Sequence, residues 1–160
     1  IRTVLLTAFS TSSSAATLPA ALATARGELG LRPSVVGFVL PLGTTMNMSG
    51  TALYEGCVVL FVAQAFGVDL NFVQQVTLLL LAVFSAVAVA AIPGGSLPLI
   101  AGLLIAFGIP PEGIGIVLGV DRILDMTRTM VNVGSDMVTT TVVDAAARRS
   151  DERAARASSA

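Results

Sequence analysis

Six polar residues near the end of the chain lie within residues 121–136, DRILDMTRTMVNVGSD, and successive ones are three or four positions apart except for one adjacent pair. They are Asp121, Asp125, Arg128, Thr129, Asn132 and Asp136, and together they are called the polar seam below. On an α-helix they fall within an arc of roughly 100°. The planar guanidinium of Arg128 matches a carboxylate, and Asp125, one turn away, can pair with an ammonium group. The excess of Asp over Arg favours an accompanying cation, and oxygen ligands suit a hard ion such as Na⁺.

Two environments could hold the polar seam. It could face water on an ordinary amphipathic helix, or it could face an internal site on a membrane helix. Each Asp or Arg at mid-bilayer costs about 2.5–3.5 kcal/mol, a cost that marks ion or substrate pathways. The chain is 54% hydrophobic and only 12% charged, where soluble domains are about 25% charged, and its mean hydropathy is +0.88. The composition therefore favours a membrane helix.

The composition also argues against other kinds of chemistry. The chain has no His and no Lys, which removes the Ser–His and Cys–His catalytic pairs and the commonest metal ligand. A nucleophilic serine among Ser12 to Ser14 would lack a base, so we predict that the chain is not an enzyme and needs no cofactor besides coupling ions. Nine basic and ten acidic residues nearly cancel, which predicts no nucleic-acid partner. The single cysteine, Cys57, is predicted to be a small buried hydrophobe.

The first half of the chain contains two interrupted apolar segments. In residues 1–25, the cluster STSSS separates two arms that are each too short to cross roughly 30 Å of hydrocarbon. This pattern predicts a re-entrant hairpin with a polar tip, and a flexible Ser-rich linker is the alternative. Residues 34–66 are apolar but interrupted at 43–51 by small polar residues and two glycines. The interruption predicts an unwound centre with carbonyls free to bind a cation, and a simple kink is the alternative.

The second half repeats this arrangement. Residues 72–107 are predicted to form another hairpin, whose tip at 90–96 contains Pro and paired Gly. The helix that carries the polar seam is predicted at 113–147, and the charged tail, 148–160, is predicted to fray into solvent. Two hairpin-plus-span units predict an all-α membrane protein with an inverted-repeat transport core.

The distribution of arginine predicts the orientation in the membrane. The first loop and the tail contain Arg26, Arg32, Arg148, Arg149, Arg153 and Arg156. The other two loops contain Asp69 and Glu112 but no arginine. By the positive-inside rule, the first loop and the C-terminus are cytoplasmic. The chain begins inside an apolar segment, and we expect it to be the C-terminal part of a longer, multi-pass protein of the cell membrane.

Four stretches of this chain resemble signatures of the glutamate/aspartate (dicarboxylate/amino acid:cation) symporter family. They are TAFSTSSSAATLP, PLGTTMNMSGTALYEG, AIPGG and DRILDMTRTMVNVGSD. In that family they correspond to the tip of hairpin 1, the NMDGT motif of helix 7, the tip of hairpin 2 and helix 8. The resemblance covers nearly all of residues 1–147 and implies the C-terminal part of a transport domain. It also implies N-terminal helices outside this sequence that form a homotrimer.

The resemblance implies roles for individual residues. Asp125 would bind the substrate amino group, Arg128 the side-chain carboxylate and Asp121 would position Arg128. The full implied substrate site is Ser13, Ser14, Thr51, Ile92, Ser96, Asp121, Asp125, Arg128, Thr129 and Asn132. One implied sodium site uses Gly43, Asn47, Asn132 and Asp136, and another uses Thr45, Met48, Ala86, Val87 and Val89.

The expected function is sodium- and/or proton-coupled uptake of an acidic amino acid across the bilayer. A C4-dicarboxylate is the alternative substrate, although it would need no partner such as Asp125, and a transport-incompetent fragment is a further alternative. The chain departs from the family pattern at Ser49, where relatives usually have Asp. Because a hydroxyl is a weaker cation ligand than a carboxylate, we expect fewer coupled sodium ions, or a proton in place of one.

Overall fold

A computed structural model describes residues 1–89 and 93–158, and within this part of the chain the secondary structure is helical, without strands. The helices are α1 (Arg2–Thr11), α2 (Ser14–Gly27), α3 (Pro33–Met46), α4 (Ser49–Ala65), α5 (Phe72–Val87), α6 (Leu97–Ala106), a 3-10 turn (Pro111–Gly113) and α7 (Ile114–Ser158). The predicted all-α class is confirmed.

The serine-rich stretch separates two helices that pack against each other, α1 and α2. Ser12 has φ 51° and ψ 29°, a left-handed conformation that ends α1. Ser13 is extended, and its hydroxyl accepts a hydrogen bond from the Ala16 N–H at 3.2 Å, which caps α2. The turn is therefore shorter than the sequence predicts, since α2 already begins at Ser14 and includes Pro19.

The interruption of the second apolar segment is also confined to two residues. Asn47 (φ −95°, ψ 75°) ends α3, and Met48 (φ −99°, ψ 48°) precedes α4. The predicted break at 43–51 is thus real but narrower, because residues on both sides remain helical. Together the two helices form Pro33–Ala65, the one segment of the described residues that is long and apolar enough to cross a membrane by length and composition.

The second helical pair consists of α5 and α6. A capping box begins α5, in which the Asn71 side chain accepts from the Gln74 N–H and the Gln74 side chain accepts from the Asn71 N–H. A turn through Pro93 and Gly94 leads to α6, which begins after Ser96. The predicted tip residues 90–92, including Ile92 of the implied substrate site, lie outside the described residues.

Helix α7 packs against most of the other helices. It is continuous for 45 residues and extends to Ser158, well past the end predicted near residue 147. The tail remains helical. Within it, Oδ2 of Asp151 accepts a hydrogen bond from Nη1 of Arg32, at the start of α3, at 2.7 Å. Such a pairing between distant parts of the chain is invisible in the local sequence.

Two apolar cores flank α7. One packs α1, α2 and α3 against its middle, and its members include Val4, Ala8, Ala21, Val36, Leu40, Val133 and Met137. The other packs α4, α5 and α6 near its beginning, and its members include Val59, Val62, Leu78, Ile100, Leu104 and Val117. Large apolar side chains remain exposed, among them Phe72 at 78% and Phe84 at 73%. Cys57 is exposed, so the prediction that it is buried is wrong; its helical face turns away from the core.

Candidate functional site

Arg128 lies at the centre of a buried polar network. Its side chain is 6% exposed, and its Nε and Nη2 donate to Oδ1 of Asp125 at 2.7 and 2.6 Å. Its Nη1 donates to the Thr51 hydroxyl at 2.9 Å. The guanidinium carbon lies 5.6 Å from the ring centroid of Tyr54, within cation–π range. Asp125, Thr51 and Tyr54 therefore fix this guanidinium from three sides.

Asp121 has no hydrogen bond or ion pair with Arg128 among the recorded contacts, and its implied role of positioning Arg128 stays a prediction. Its carboxylate accepts a hydrogen bond from the Tyr54 hydroxyl. Tyr54 therefore contacts both residues, Asp121 through its hydroxyl and the Arg128 guanidinium through its ring. Thr129, the neighbour of Arg128, is buried as the seam pattern predicts.

Asn132 joins α7 to the start of α4. Its Oδ1 accepts from the backbone N–H groups of Gly50 at 2.7 Å and Thr51 at 3.2 Å. Its Nδ2 donates to the Thr51 hydroxyl at 3.0 Å and to the Met48 sulfur at 3.4 Å. The amide thereby satisfies helix-start N–H groups that have no partner within α4.

Asp136, one helical turn after Asn132 on α7, contacts the break between α3 and α4. Its Oδ1 accepts from Nδ2 of Asn47 at 2.8 Å, and the same nitrogen donates to the Ser135 hydroxyl at 3.0 Å. Gly43 lies so close that a Cβ there would be 2.6 Å from Oδ1 of Asp136. Three of the residues in the first implied sodium site, Gly43, Asn47 and Asp136, are therefore brought together.

The second implied cation set is only partly assembled. Met48, Ala86 and Val87 line one cavity of about 400 Å³ between the break and α5, which Ser49 also lines. Thr45 is exposed, and its hydroxyl donates back to the Leu42 carbonyl at 2.9 Å.

Val89, in the same set, is buried, and its N–H donates to the Ala86 carbonyl at 3.2 Å. This carbonyl is already used by the backbone, so binding a cation here would require it to serve a second partner.

The tips of both helical pairs contribute buried polar groups. Ser13 and Ser14 are buried at the first turn, and Ser96 is buried at the second. The backbone N–H of Gly94 donates to Oδ2 of Asp125 at 3.0 Å. Because this contact closes the second tip over the polar seam, any ligand of Asp125 must displace or accommodate it.

Two important residues were not singled out from the sequence. Tyr54 links Asp121 to Arg128, as described above. Glu55 is completely buried; its Oε2 accepts from the Ser85 hydroxyl, and its Oε1 has no hydrogen-bond partner. The available signal for Glu55 was an acidic residue inside an otherwise apolar membrane segment, which by itself indicates a functional position.

Comparison with known proteins identifies the class. The model of the sodium:dicarboxylate symporter family matches residues 1–146. The chain belongs to this family of transporters and is part of a membrane protein.

Similar curated proteins span both bacteria and animals. The chain is 39% identical to a proton/sodium-glutamate symport protein of Bacillus subtilis over 87% of its length, which is 32% of that protein. It is 44% identical to excitatory amino acid transporter 2 of Homo sapiens over 82% of its length (23% of that protein). It is 40% identical to neutral amino acid transporter B(0) of Mus musculus over 85% (25% of that protein). The chain thus spans about a third or less of these relatives.

Gly50 provides a test of the site geometry. A Cβ at Gly50 would collide with the Arg128 carbonyl and lie 2.9 Å from Cβ of Val131, and neither atom can rotate away. Gly50→Ala should therefore lower the thermal unfolding temperature of the purified protein by several degrees, as overpacking costs about 1–3 kcal/mol. Gly56→Ala, in the same helix with open space around it, is the matched control and should be neutral or stabilising. Equal melting temperatures for the two variants would contradict the close packing of α4 on α7.

Proposed function

We propose that this chain forms the substrate- and ion-binding part of a secondary transporter that couples entry of sodium and/or protons to uptake of an acidic amino acid such as glutamate or aspartate. The observation that carries the proposal is the buried Arg128–Asp125 pair. A membrane protein that holds one cation and one carboxylate side by side, away from water, can offer both charges to a zwitterionic ligand.

Substrate binding would separate Asp125 from Arg128, and this favours an amino acid over a dicarboxylate as the substrate. When a substrate carboxylate binds Arg128, Asp125 loses its cationic partner, and an uncompensated buried charge costs about 3–5 kcal/mol. The ammonium group of an amino acid replaces the lost partner. A C4-dicarboxylate would leave Asp125 unpaired, so it is the weaker candidate.

The neighbouring cation sites would supply the coupling. Asp136 accepts from the Asn47 amide but has no recorded cationic partner among the described residues. A sodium ion between Asp136 and the carbonyls of the broken segment, near Gly43, would neutralise the carboxylate. Since Thr51 lies in the first turn of α4, directly after the break at Asn47 and Met48, ion binding and substrate binding would depend on neighbouring residues of one segment.

The proposed architecture is that of an inverted-repeat transport core. The pair α1–α2 would be a re-entrant hairpin entering from the cytoplasm, and α5–α6 one entering from outside. The Gly94–Asp125 hydrogen bond supports the second tip as the extracellular gate, because this tip contacts a residue of the substrate site. The complete polypeptide would form a homotrimer, in line with the family resemblance.

A proton is the second candidate for a coupling ion. Glu55 is fully buried without a recorded cation and has one unpartnered oxygen. A neutral carboxyl is far less costly to bury than a carboxylate, and its proton could be donated to a neighbour. The absence of a carboxylate at Ser49 supports the same conclusion, as one oxygen ligand for sodium is weakened.

Arg128→Cys should abolish binding of aspartate and glutamate and admit neutral amino acids. Losing a buried charged hydrogen-bond partner costs about 2–5 kcal/mol, a rise in Kd of roughly thirtyfold or more. Titration calorimetry on reconstituted protein measures this. Arg122→Cys, exposed on the same helix, is the control and should bind normally. Unchanged aspartate affinity in Arg128→Cys would refute the assignment.

Asp136→Asn should weaken the dependence of substrate affinity on sodium, because substrate and ion affinities are thermodynamically linked. The slope of log Kd for aspartate against log sodium concentration should fall by about one ion. Asp69→Asn makes the same charge change at an exposed position and should leave the slope unchanged. Identical slopes in wild type and Asp136→Asn would show that this carboxylate binds no coupled cation.

Glu55→Gln should remove the pH dependence of uptake, because an amide imitates the protonated carboxyl permanently. The measurement is the initial rate of aspartate uptake into vesicles at several external pH values, with sodium fixed. Glu112→Gln, exposed outside the core, is the control and should behave as wild type. A Glu55→Gln variant that retains the wild-type pH profile would exclude Glu55 as the proton site.

A further inference from the structure

A second cluster of charges lies far along α7 from the substrate site and has no role in the function proposed above. Its centre is Asp144, which is 2% exposed. One carboxylate oxygen accepts from Nε of Arg32 at 2.8 Å and the other from Nε of Arg148 at 2.6 Å. The backbone N–H of Arg32 also approaches the carboxylate at 3.3 Å. A carboxylate buried between two guanidiniums is a strong charge-assisted contact.

The cluster fastens the loop between α2 and α3 to α7. Arg32 donates through Nη2 to the Asp144 carbonyl at 3.1 Å and through Nη1 to Asp151 at 2.7 Å. Arg148 donates through Nη2 to the Gly30 carbonyl at 2.9 Å. Gly30 has φ +60°, a left-handed conformation that favours glycine. The loop is therefore held by side-chain and backbone contacts at two of its residues. The hydrogen bond to Asp144 also raises the pKa of Arg32.

The two helical pairs differ in how they are attached. The pair α1–α2 packs on α7 through a buried apolar core. It continues directly into the loop between α2 and α3 that the ion-pair cluster links to α7. The pair α5–α6 packs mainly on α4, and residues 72–107 contain no charged side chain at all. No ion pair of this kind can therefore hold α5–α6. Among the described residues of this pair, the one recorded hydrogen bond to the polar seam is that from the Gly94 backbone N–H to Asp125.

We propose that Arg32, Asp144 and Arg148 form an ionic lock that holds the first helical pair at a fixed position on α7. The pair α5–α6, whose tip is the gate in the function proposed above, has no such lock. Asp144 is in this sense a positioning residue for Ser13 and Ser14, which sit at the opposite end of α2 from the lock. The consequence for substrate binding rests on the function proposed above, whereas the lock itself does not.

Distance measurements by pulsed electron paramagnetic resonance test the lock. In a Cys57→Ser background, nitroxide labels at Ala23 and Thr139, both exposed, report the position of α2 on α7. Labels at Leu80 and Thr139 report α5 on α7. The wild-type Ala23–Thr139 distribution should be narrow with and without sodium and aspartate, and the Leu80–Thr139 distribution should change with them. Asp144→Asn and Arg32→Gln should broaden the first distribution and leave the second unchanged.

Matched variants separate the lock from a general loss of structure. Asp144→Glu keeps the charge and should restore the narrow distribution, and Glu152→Gln, exposed on the same helix, should not alter it. Asp144→Asn could fail to yield folded protein, and Arg148→Gln is then the replacement. The Arg148 side chain is 51% exposed, so its loss removes one ion pair without leaving a cavity in the core, and it should give the same broadening. A narrow Ala23–Thr139 distribution in the neutral variants, or broadening of both distances together, would overturn the proposal.

Aspartate binding provides the second readout. In folded Asp144→Asn the Kd for aspartate should rise severalfold, and Asp144→Glu should return it towards wild type. Because the distances need no substrate, they decide on the lock even if aspartate binds to none of the proteins, a result that would count against the proposed function alone. A wild-type Kd in Asp144→Asn, together with a broadened α2–α7 distance, would overturn the positioning role of Asp144.

Discussion

The burial of one guanidinium, that of Arg128, is the constraint on which the rest of this structure depends. A charge removed from water is stable only when its hydrogen bonds and its countercharge are supplied internally. Asp125 supplies the charge, Thr51 accepts a hydrogen bond and the Tyr54 ring covers one face. Because Thr51 and Tyr54 belong to α4, the start of this helix must lie against α7 at a fixed register.

That requirement explains the shape of the broken segment. The chain has to bring α4 close enough for the Asn132 side chain to reach the N–H groups of Gly50 and Thr51. A continuous helix would use those groups internally, whereas the break at Asn47–Met48 leaves them available. The absence of a Cβ at Gly43 and Gly50 permits the two close approaches to α7. The same break places the Asn47 amide on Asp136, so the proposed ion site and the proposed substrate site both depend on one interruption.

The sequence predicted the polar seam well because helical periodicity is a local property. Asp125, Arg128, Thr129, Asn132 and Asp136 are buried together as their spacing requires. The break and the two helical pairs were also visible, since glycine, proline and serine interrupt apolar runs at those points.

Contacts between distant segments could not be predicted in the same way. The Tyr54–Asp121 hydrogen bond joins residues 67 apart, and nothing local to Asp121 indicates that its partner is a tyrosine. The contact between Arg32 and Asp151 in the helical tail likewise joins residues 119 apart. Periodicity assigns a residue to a face of its helix, but the partner on that face is decided by packing.

The most direct measurement of the central claim is an experimental structure of the protein with sodium and L-aspartate bound, at a resolution that separates side-chain atoms. The account predicts that the Asp125–Arg128 pair opens, that the side-chain carboxylate of aspartate takes the place of Asp125 on the guanidinium, and that the ammonium group binds Asp125. A structure in which aspartate binds elsewhere while the Asp125–Arg128 pair remains intact would contradict it.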